Sequence, residues 1–262
     1  AMPDIQLNPT VTIAQGDWVA VHVTWTGTFT EPFSFAPFGP DAFPANNQAI
    51  TWTEMNFLHF TAEGLVDVAW LLAEPALMFG QMGLFPPPET SRTGTPIDGA
   101  AGFQTLSADE LAASFTSGNE ARNFTLIGDM IGLGFGGDST VFYADPYIAW
   151  GVGGAYSVTA AQMAEEAAFP AMLAMAMPDV AMEQTVTVVE GDWAATLLTL
   201  SGTFSEDIEF FGMPLTATGE TITWQFGAID RFNADGKIVE EWIEGDPTPL
   251  LVGLGIMPVP SS

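Results

Sequence analysis

Apolar and polar residues alternate along two separate parts of the chain, which is the pattern of half-buried β-strands. In the first part the alternation predicts four strands and then a short helix, at residues 10–13, 18–29, 49–61, 65–72 and about 75–82. Gly16-Asp17 lies between the first two runs and is a turn signal, so these strands should form a β-hairpin. Gly83 is placed to end the helix.

The second part begins with helical patterns and ends in strands. Ser107 and Glu110 have the spacing of a capping box, which predicts the start of a helix. The pattern predicts helices at 107–116, 120–133 and 157–176, with Pro170 as a candidate interruption of the third. It also predicts a strand at 141–150, strands at 180–189, 193–204, 218–232 and 237–244, and a last helix from 247. Helices followed by a run of antiparallel strands predict an α+β fold.

The two strand-rich parts are copies of one another. Residues 2–18 (MPDIQLNPTVTIAQGDW) match residues 177–193 (MPDVAMEQTVTVVEGDW) at an offset of 177 − 2 = 175. Further along, the offset falls to 224 − 52 = 172, because a loop in the first copy is three residues longer. We therefore divide the chain into a first unit (1–86), a linker rich in Pro, Gly and Thr (87–104) and a second unit (105–262).

The charge of the chain excludes several kinds of partner. There are 4 Lys and Arg against 32 Asp and Glu, which gives a formal net charge of −28. This charge argues against binding to nucleic acid or to an anionic membrane surface. The chain has no cysteine and almost no lysine, and we expect an extracellular or cell-surface protein from this composition.

Residues 185–258 resemble the SnoaL-like polyketide cyclase family of the ester-cyclase type, within the nuclear-transport-factor-2-like (NTF2-like) superfamily. Three phrases carry the resemblance: VEGDWAATLLTLSGTF at 189–204, FGMPLTATGETI at 211–222 and FNADGKIVEEWIEGDPTPLLVGLGIMP at 232–258. The resemblance implies two cone-shaped units, each a curved antiparallel sheet packed on helices around an apolar pocket. It also implies ring closure on polyketide esters by aldol chemistry, without a metal or a cofactor.

The family's acid/base aspartate falls at Asp246, and Glu74 is its equivalent in the first unit. A carboxylate in an apolar pocket can accept and return a proton at an activated carbon. The same aspartate precedes Pro247, and Asp followed by Pro is also a standard helix start. Both interpretations of Asp246 remain open at this point.

Other side chains are candidates for a pocket or an interaction surface. They are Arg231, His59, Trp224, Trp242, Tyr143 and Tyr147, together with the loop residues Phe33, Phe35, Phe38 and Phe43. His22 and His59 are far apart and have no acid at ligand spacing, so we expect no metal. The three acids Glu240, Glu241 and Glu244 are expected to be solvated positions on a strand.

The chain departs from the family pattern in its polar residues. The family commonly has Gly-Thr-His where this chain has Gly202-Thr203-Phe204, and Leu197 stands where the family often has an arginine. The pocket of the second unit is therefore expected to hold few polar groups.

The first unit lacks a counterpart of residues 105–176, so its sheet has no helical cover of its own. Three arrangements would resolve this. In the first, a precursor carried the helices and lost them. In the second, the two sheets pack face to face. In the third, another copy of the chain completes the first unit and builds an oligomer or filament.

Two functions follow from the sequence. One is a cofactor-free cyclase or isomerase that acts on a hydrophobic small molecule with a carboxylate acid/base. The other is a non-catalytic secreted protein that self-associates through its incomplete first unit.

Overall fold

The computed structural model describes residues 1–34, 43–73, 75–83, 94–97, 106–151, 154–210 and 212–257. Phe35, Phe38 and Glu74 therefore lie outside the described residues.

The first unit is a four-stranded antiparallel sheet with one short helix, as the alternation predicts. Its strands follow the chain in the order β1 (Gln6–Gln15), β2 (Trp18–Thr28), β3 (Ala49–Phe60) and β4 (Val66–Ala73), and α1 (Pro75–Gln81) comes after them. β1 begins four residues before the predicted start, because Gln6 already pairs with Thr26. Pro9 lies within this strand, and a bulge between Pro9 and Val11 accommodates it at the edge of the sheet.

The second unit contains a seven-stranded sheet. The strands are β5 (Thr95–Pro96), β6 (Tyr143–Gly151), β7 (Gly154–Val158), β8 (Ala181–Glu190), β9 (Trp193–Thr203), β12 (Thr221–Phe232) and β13 (Ile238–Glu244), while β10 (Ile208–Phe210) and β11 (Met213–Leu215) form a separate small hairpin. The strand order is β5-β7-β6-β13-β12-β9-β8, and every pair is antiparallel except β6–β13. Part of the predicted linker therefore adds a short edge strand to this sheet.

Among the described residues, five α-helices accompany the second sheet. They are α2 (Ala108–Ser114), α3 (Glu120–Gly132), α4 (Ala160–Glu166), α5 (Ala168–Ala176) and α6 (Thr248–Gly253). Ser107 and Glu110 form the predicted capping box at the start of α2. The prediction for residues 157–176 is wrong in two respects: residues 154–158 form β7, and the helical segment is interrupted at Ala167 and not at Pro170. Pro170 is tolerated because it lies in the first turn of α5, where an N–H group has no helical partner.

The second sheet is covered on both faces, which we call inner and outer. The inner face carries α3, α5 and α6; for example, Ile127 of α3 belongs to one core cluster with Ala194 and Phe232. The outer face packs against the first unit, and a second cluster contains residues of both units. That cluster includes Val11, Ile13, Ala20, Met55, Phe57 and Leu72 from the first unit and Trp150, Val188, Trp193, Leu197, Ile229 and Trp242 from the second.

The face-to-face arrangement is therefore the one that the structure adopts. At the edge of the contact, the amide of Ala14 donates to the Glu190 carboxylate at 2.7 Å, and the amide of Val189 donates to the Gln15 side chain at 3.2 Å. The opposite face of the first sheet is covered at one end, where Phe79 and Met82 pack on Trp52. Within the described ranges, no helix is long and apolar enough to cross a membrane.

Candidate functional site

Asp246 lines a cleft between the two units. The cleft has a volume of about 420 Å³ and is bordered by Leu71, Leu72, Ala73 and Pro75 of the first unit and by Thr223, Trp224, Gln225, Asp246 and Pro249 of the second. A volume of this order is at the small end of the range of small-molecule sites. Ala73 and Pro75 flank Glu74, which is itself outside the described residues. We call this space the inter-unit cleft.

The local backbone fixes the carboxylate of Asp246. Its Oδ1 accepts a hydrogen bond from the amide of Thr248 at 2.9 Å, and the side chain is partly buried. Pro247, not Asp246, is the N-cap residue of α6, so the predicted cap is displaced by one residue. The hydrogen bond to Thr248 still ties the carboxylate to the beginning of the helix. A structural role and a chemical role for Asp246 are both compatible with this geometry.

A second group of carboxylates lies on the inner face of the second sheet. Asp230 of β12 stands directly opposite Glu241 of β13 in the antiparallel register, and directly opposite residues share a face. The Tyr143 hydroxyl donates to Oε1 of Glu241 at 2.7 Å. Among the residues that the structure describes, neither carboxylate oxygen of Asp230 has a hydrogen-bond partner. We call Asp230, Glu241 and Tyr143 the inner cluster.

Burial dominates the electrostatics of the inner cluster. Loss of solvation raises the pKa of Asp230 well above its ordinary value, and the neighbouring Glu241 raises it further. Loss of solvation also raises the pKa of Tyr143, and the charge of Glu241 adds to this effect. Two adjacent carboxyl groups in a buried site disfavour double ionisation, so the pair tends to retain a proton. The inner cluster is therefore a group that can hold a proton away from solvent.

The outer face holds two further buried carboxylates. Glu240 accepts from the Arg231 guanidinium at 2.8 Å and from the indole N–H of Trp150 at 2.8 Å. Glu244 reaches across to the first unit, where it accepts from the Thr53 hydroxyl and lies 3.4 Å from Nε2 of His22.

The prediction that Glu240, Glu241 and Glu244 are solvated was wrong, since all three are buried. β13 is a central strand of a sheet that is covered on both faces, so acids on either face of it are shielded from water.

The structure does not bring the predicted pocket residues together. Tyr143 and Tyr147 lie on the inner face with ring centroids 4.6 Å apart, while Trp224 borders the inter-unit cleft. Trp242 and Arg231 lie on the outer face instead.

The remaining candidates lie in the first unit. The His59 ring packs on Trp18, which in turn stacks on Trp70. Nδ1 of His59 is 2.6 Å from an Asp67 carboxylate oxygen. Phe33 and Phe43 form an isolated antiparallel bridge. None of these three residues borders the inter-unit cleft.

Sequence reasoning missed Asp230, although a signal was present. In β12 the residues Ile222, Phe226 and Phe232 share the face of Asp230, so a charged residue interrupts an otherwise apolar series. In a strand that is buried on both faces, a carboxylate at such a position must either have a polar partner or hold a proton. Within the described part of the chain, no group of three or more His, Cys, Asp or Glu is arranged to hold a metal ion.

Comparison with known proteins gives one family and several related structures. A model of the SnoaL-like polyketide cyclase family matches residues 1–80 and 160–253. No curated protein matches the chain. The match includes Asp246 and the inner-cluster residues Asp230 and Glu241, but not Tyr143, which precedes the second matched segment.

Three solved structures illustrate the similarity. AclR from Streptomyces galilaeus is 26% identical, with 53% of this chain and 85% of AclR covered and a TM-score of 0.45. IdmH from Streptomyces antibioticus is 23% identical, with 51% and 99% covered and a TM-score of 0.41. TsrD from Streptomyces laurentii is 23% identical, with 52% and 97% covered and a TM-score of 0.41. With TM-scores below 0.5, these likenesses add nothing to the family match.

Proposed function

Because the chain belongs to the SnoaL-like polyketide cyclase family, we propose that it is a cofactor-free acid–base catalyst, a cyclase or isomerase, that acts on a small hydrophobic molecule. The observation that carries this proposal is the inter-unit cleft, which Asp246 borders together with the apolar residues Leu72, Pro75 and Trp224. This combination of an apolar wall and one carboxylate suits a neutral substrate with an acidic C–H bond.

The chemistry at Asp246 would be a proton transfer at carbon. The carboxylate removes a proton from a carbon next to a carbonyl group, which leaves an enolate. In an isomerase, the protonated Asp246 returns the proton at a different carbon. In a cyclase, the enolate carbon adds to a second carbonyl of the same molecule, and the resulting alkoxide takes up the proton from Asp246. A positioned base of this kind contributes roughly 100- to 10,000-fold to the rate.

The inner cluster is the second candidate for the acid/base group. Its support is electrostatic, because burial and the neighbouring Glu241 favour a protonated Asp230. Its weakness is access, since Asp230 is fully buried under the helices of the inner face. The two candidates predict different mutational results, and one assay distinguishes them.

The test uses a small hydrophobic β-keto ester as the probe and follows exchange of its acidic C–H proton in heavy water by NMR. We expect the wild type to accelerate exchange over buffer and Asp246→Asn to lower the acceleration about 100-fold or more. Asp129→Asn is the matched control, because Asp129 is an exposed aspartate of α3 that does not border the cleft.

The outcomes separate the two sites and the proposal itself. Loss of exchange in Asp230→Asn with retention in Asp246→Asn would transfer the acid/base role to the inner cluster. Exchange no faster than in buffer, or equal exchange in all variants, would contradict catalysis by these carboxylates.

The alternative function is a non-catalytic secreted or cell-surface protein that self-associates. The observation that favours it is apolar exposure on the face of the first sheet that points away from the second unit, where Leu7 and Leu71 are 47% and 68% exposed. Light scattering over a wide concentration range tests it, with Leu71→Asp as the disrupting variant. Self-association that grows with concentration and is reduced by Leu71→Asp would support this function, and a monomer at every concentration would exclude it.

A further inference from the structure

The outer face of the second sheet packs on one face of the first sheet, which we call the outer face of the first unit. The two outer faces meet at equivalent rows of three residues. Each row runs across three neighbouring strands and is defined by direct pairing in the sheet. The row of the first unit is His22, Met55 and Leu72. The row of the second unit is Leu197, Gly227 and Glu244. The repeat relates them position by position, since 197 − 22 = 175, 227 − 55 = 172 and 244 − 72 = 172.

The rows contact each other in a crossed arrangement. At one end, Glu244 of the second unit lies against His22 and Thr53 of the first. In the centre, the Met55 sulfur occupies the space above Gly227, only 2.6 Å from where a Cβ atom on that glycine would lie. At the other end, Leu72 and Leu197 belong to the same apolar cluster.

Each contact is complementary in a different property. The polar end pairs a carboxylate with an imidazole and a hydroxyl, the centre fits a long side chain onto a glycine, and the apolar end pairs two leucines. Because the rows are crossed, two copies of the same row would bring the polar end of each copy onto the apolar end of the other. The complementarity is therefore lost in any pairing of identical rows.

Identical rows would fit badly in both combinations. In a pair of second-unit faces, each Glu244 would meet Leu197 where it now meets the His22 imidazole, and two glycines would leave a gap at the centre. In a pair of first-unit faces, each His22 would meet Leu72, and two Met55 side chains would compete for one space. Unpaired buried polar groups and overpacked centres are both strongly unfavourable.

We infer that these rows form a pairing code: the outer face of each unit accepts the other unit of the chain and rejects a second copy of itself. The row of His, Met and Leu on the first unit is thus complementary to the row of Leu, Gly and Glu on the second unit. The inference concerns assembly of the chain and does not depend on whether either unit is catalytic.

The first test is a double-mutant cycle at the polar end, measured by urea unfolding of the full chain. Glu244→Leu leaves His22 and Thr53 facing a leucine, and His22→Leu leaves Glu244 with the Thr53 hydroxyl alone. We therefore expect each variant to lower the folding equilibrium constant by roughly 10- to 100-fold. The double variant creates a second leucine pair, and we expect it to lie within about tenfold of the wild type. A double variant whose loss equals the product of the two single losses would overturn the inference.

The second test places identical rows in one chain. The variant His22→Leu, Met55→Gly, Leu72→Glu gives both units the second-unit row, and we expect its folding constant to fall by a factor of 100 or more. The exchanged variant adds Leu197→His, Gly227→Met and Glu244→Leu, so that the two rows change places. Recovery of the exchanged variant to within about tenfold of the wild type supports the code. An exchanged variant no more stable than the identical-row variant refutes it.

Discussion

Two adjacent leucines of β4 test the packing of the two units with a matched pair of substitutions. Leu72 is 8% exposed and belongs to the core between the units, whereas Leu71 is 68% exposed on the opposite face of the same strand. Replacing either residue by alanine removes the same atoms from the same strand. Any difference between the two variants therefore reports which face of the first sheet is buried.

The expected cost follows from the atoms removed. Leucine to alanine deletes three carbon groups, and at about 0.8 kcal/mol for each buried group the transfer cost is about 2.4 kcal/mol. Leu72 borders the inter-unit cleft, so little additional cavity is created. We expect Leu72→Ala to lower the free energy of unfolding by about 2–3 kcal/mol. For Leu71→Ala we expect a change within about 0.5 kcal/mol.

Urea denaturation followed by tryptophan fluorescence and by circular dichroism measures both values. Trp150, Trp193 and Trp242 lie in the same core cluster as Leu72, so fluorescence reports on the contact directly. The slope of the transition must be unchanged for the midpoints to be compared as stabilities. Equal losses in the two variants, or a larger loss in Leu71→Ala, would refute the proposed packing of the outer faces.

Three further predictions follow from the described contacts. Burial raises the pKa of Asp230, so the folded state holds this proton more tightly and stability falls as pH rises above the ordinary value of 3.8. Asp230→Asn should make this fall shallower in a pH series of urea midpoints. A profile parallel to that of the wild type would contradict the assignment. Hydrogen bonds from the amide of Thr203, and secondarily from its hydroxyl, lower the pKa of Asp179. The stability that Asp179 contributes is therefore present above the ordinary carboxyl pKa and is lost as pH falls. Asp179→Asn should reduce the loss of stability at acid pH, with exposed Asp129→Asn as the unaffected control. Arg231→Met leaves the buried Glu240 carboxylate without its guanidinium and should cost about 3–5 kcal/mol in urea unfolding, whereas the double variant Arg231→Met, Glu240→Gln should recover part of this loss.

The repeat and most strands could be predicted from the sequence because their signals are local. The Gly16-Asp17 turn and the capping box at Ser107 each act within a few residues, and both lie where they were predicted. Asp4 and Asp179 bind Thr28 and Thr203 in the same way, so the repeat extends to individual hydrogen bonds.

The carboxylates of β13 could not be predicted, because their burial depends on what covers the sheet. Glu240 and Glu241 face opposite sides of one strand, and charged residues on both faces would ordinarily indicate a strand exposed to solvent. Both faces are covered here, one by helices and the other by the first unit. That information lies in residues far away in the chain, so only the folded structure reveals it.

The contact between Met55 and Gly227 gives the most direct measurement of the arrangement of the two units. The Met55 sulfur packs over Gly227, and the Leu72 side chain lies beside the same glycine. With methyl-labelled methionine and leucine, NMR should show nuclear Overhauser effects from the Met55 methyl and from a Leu72 methyl to the α-protons of Gly227. A Met55 methyl with contacts to residues of the first unit alone would contradict the packing of the two outer faces.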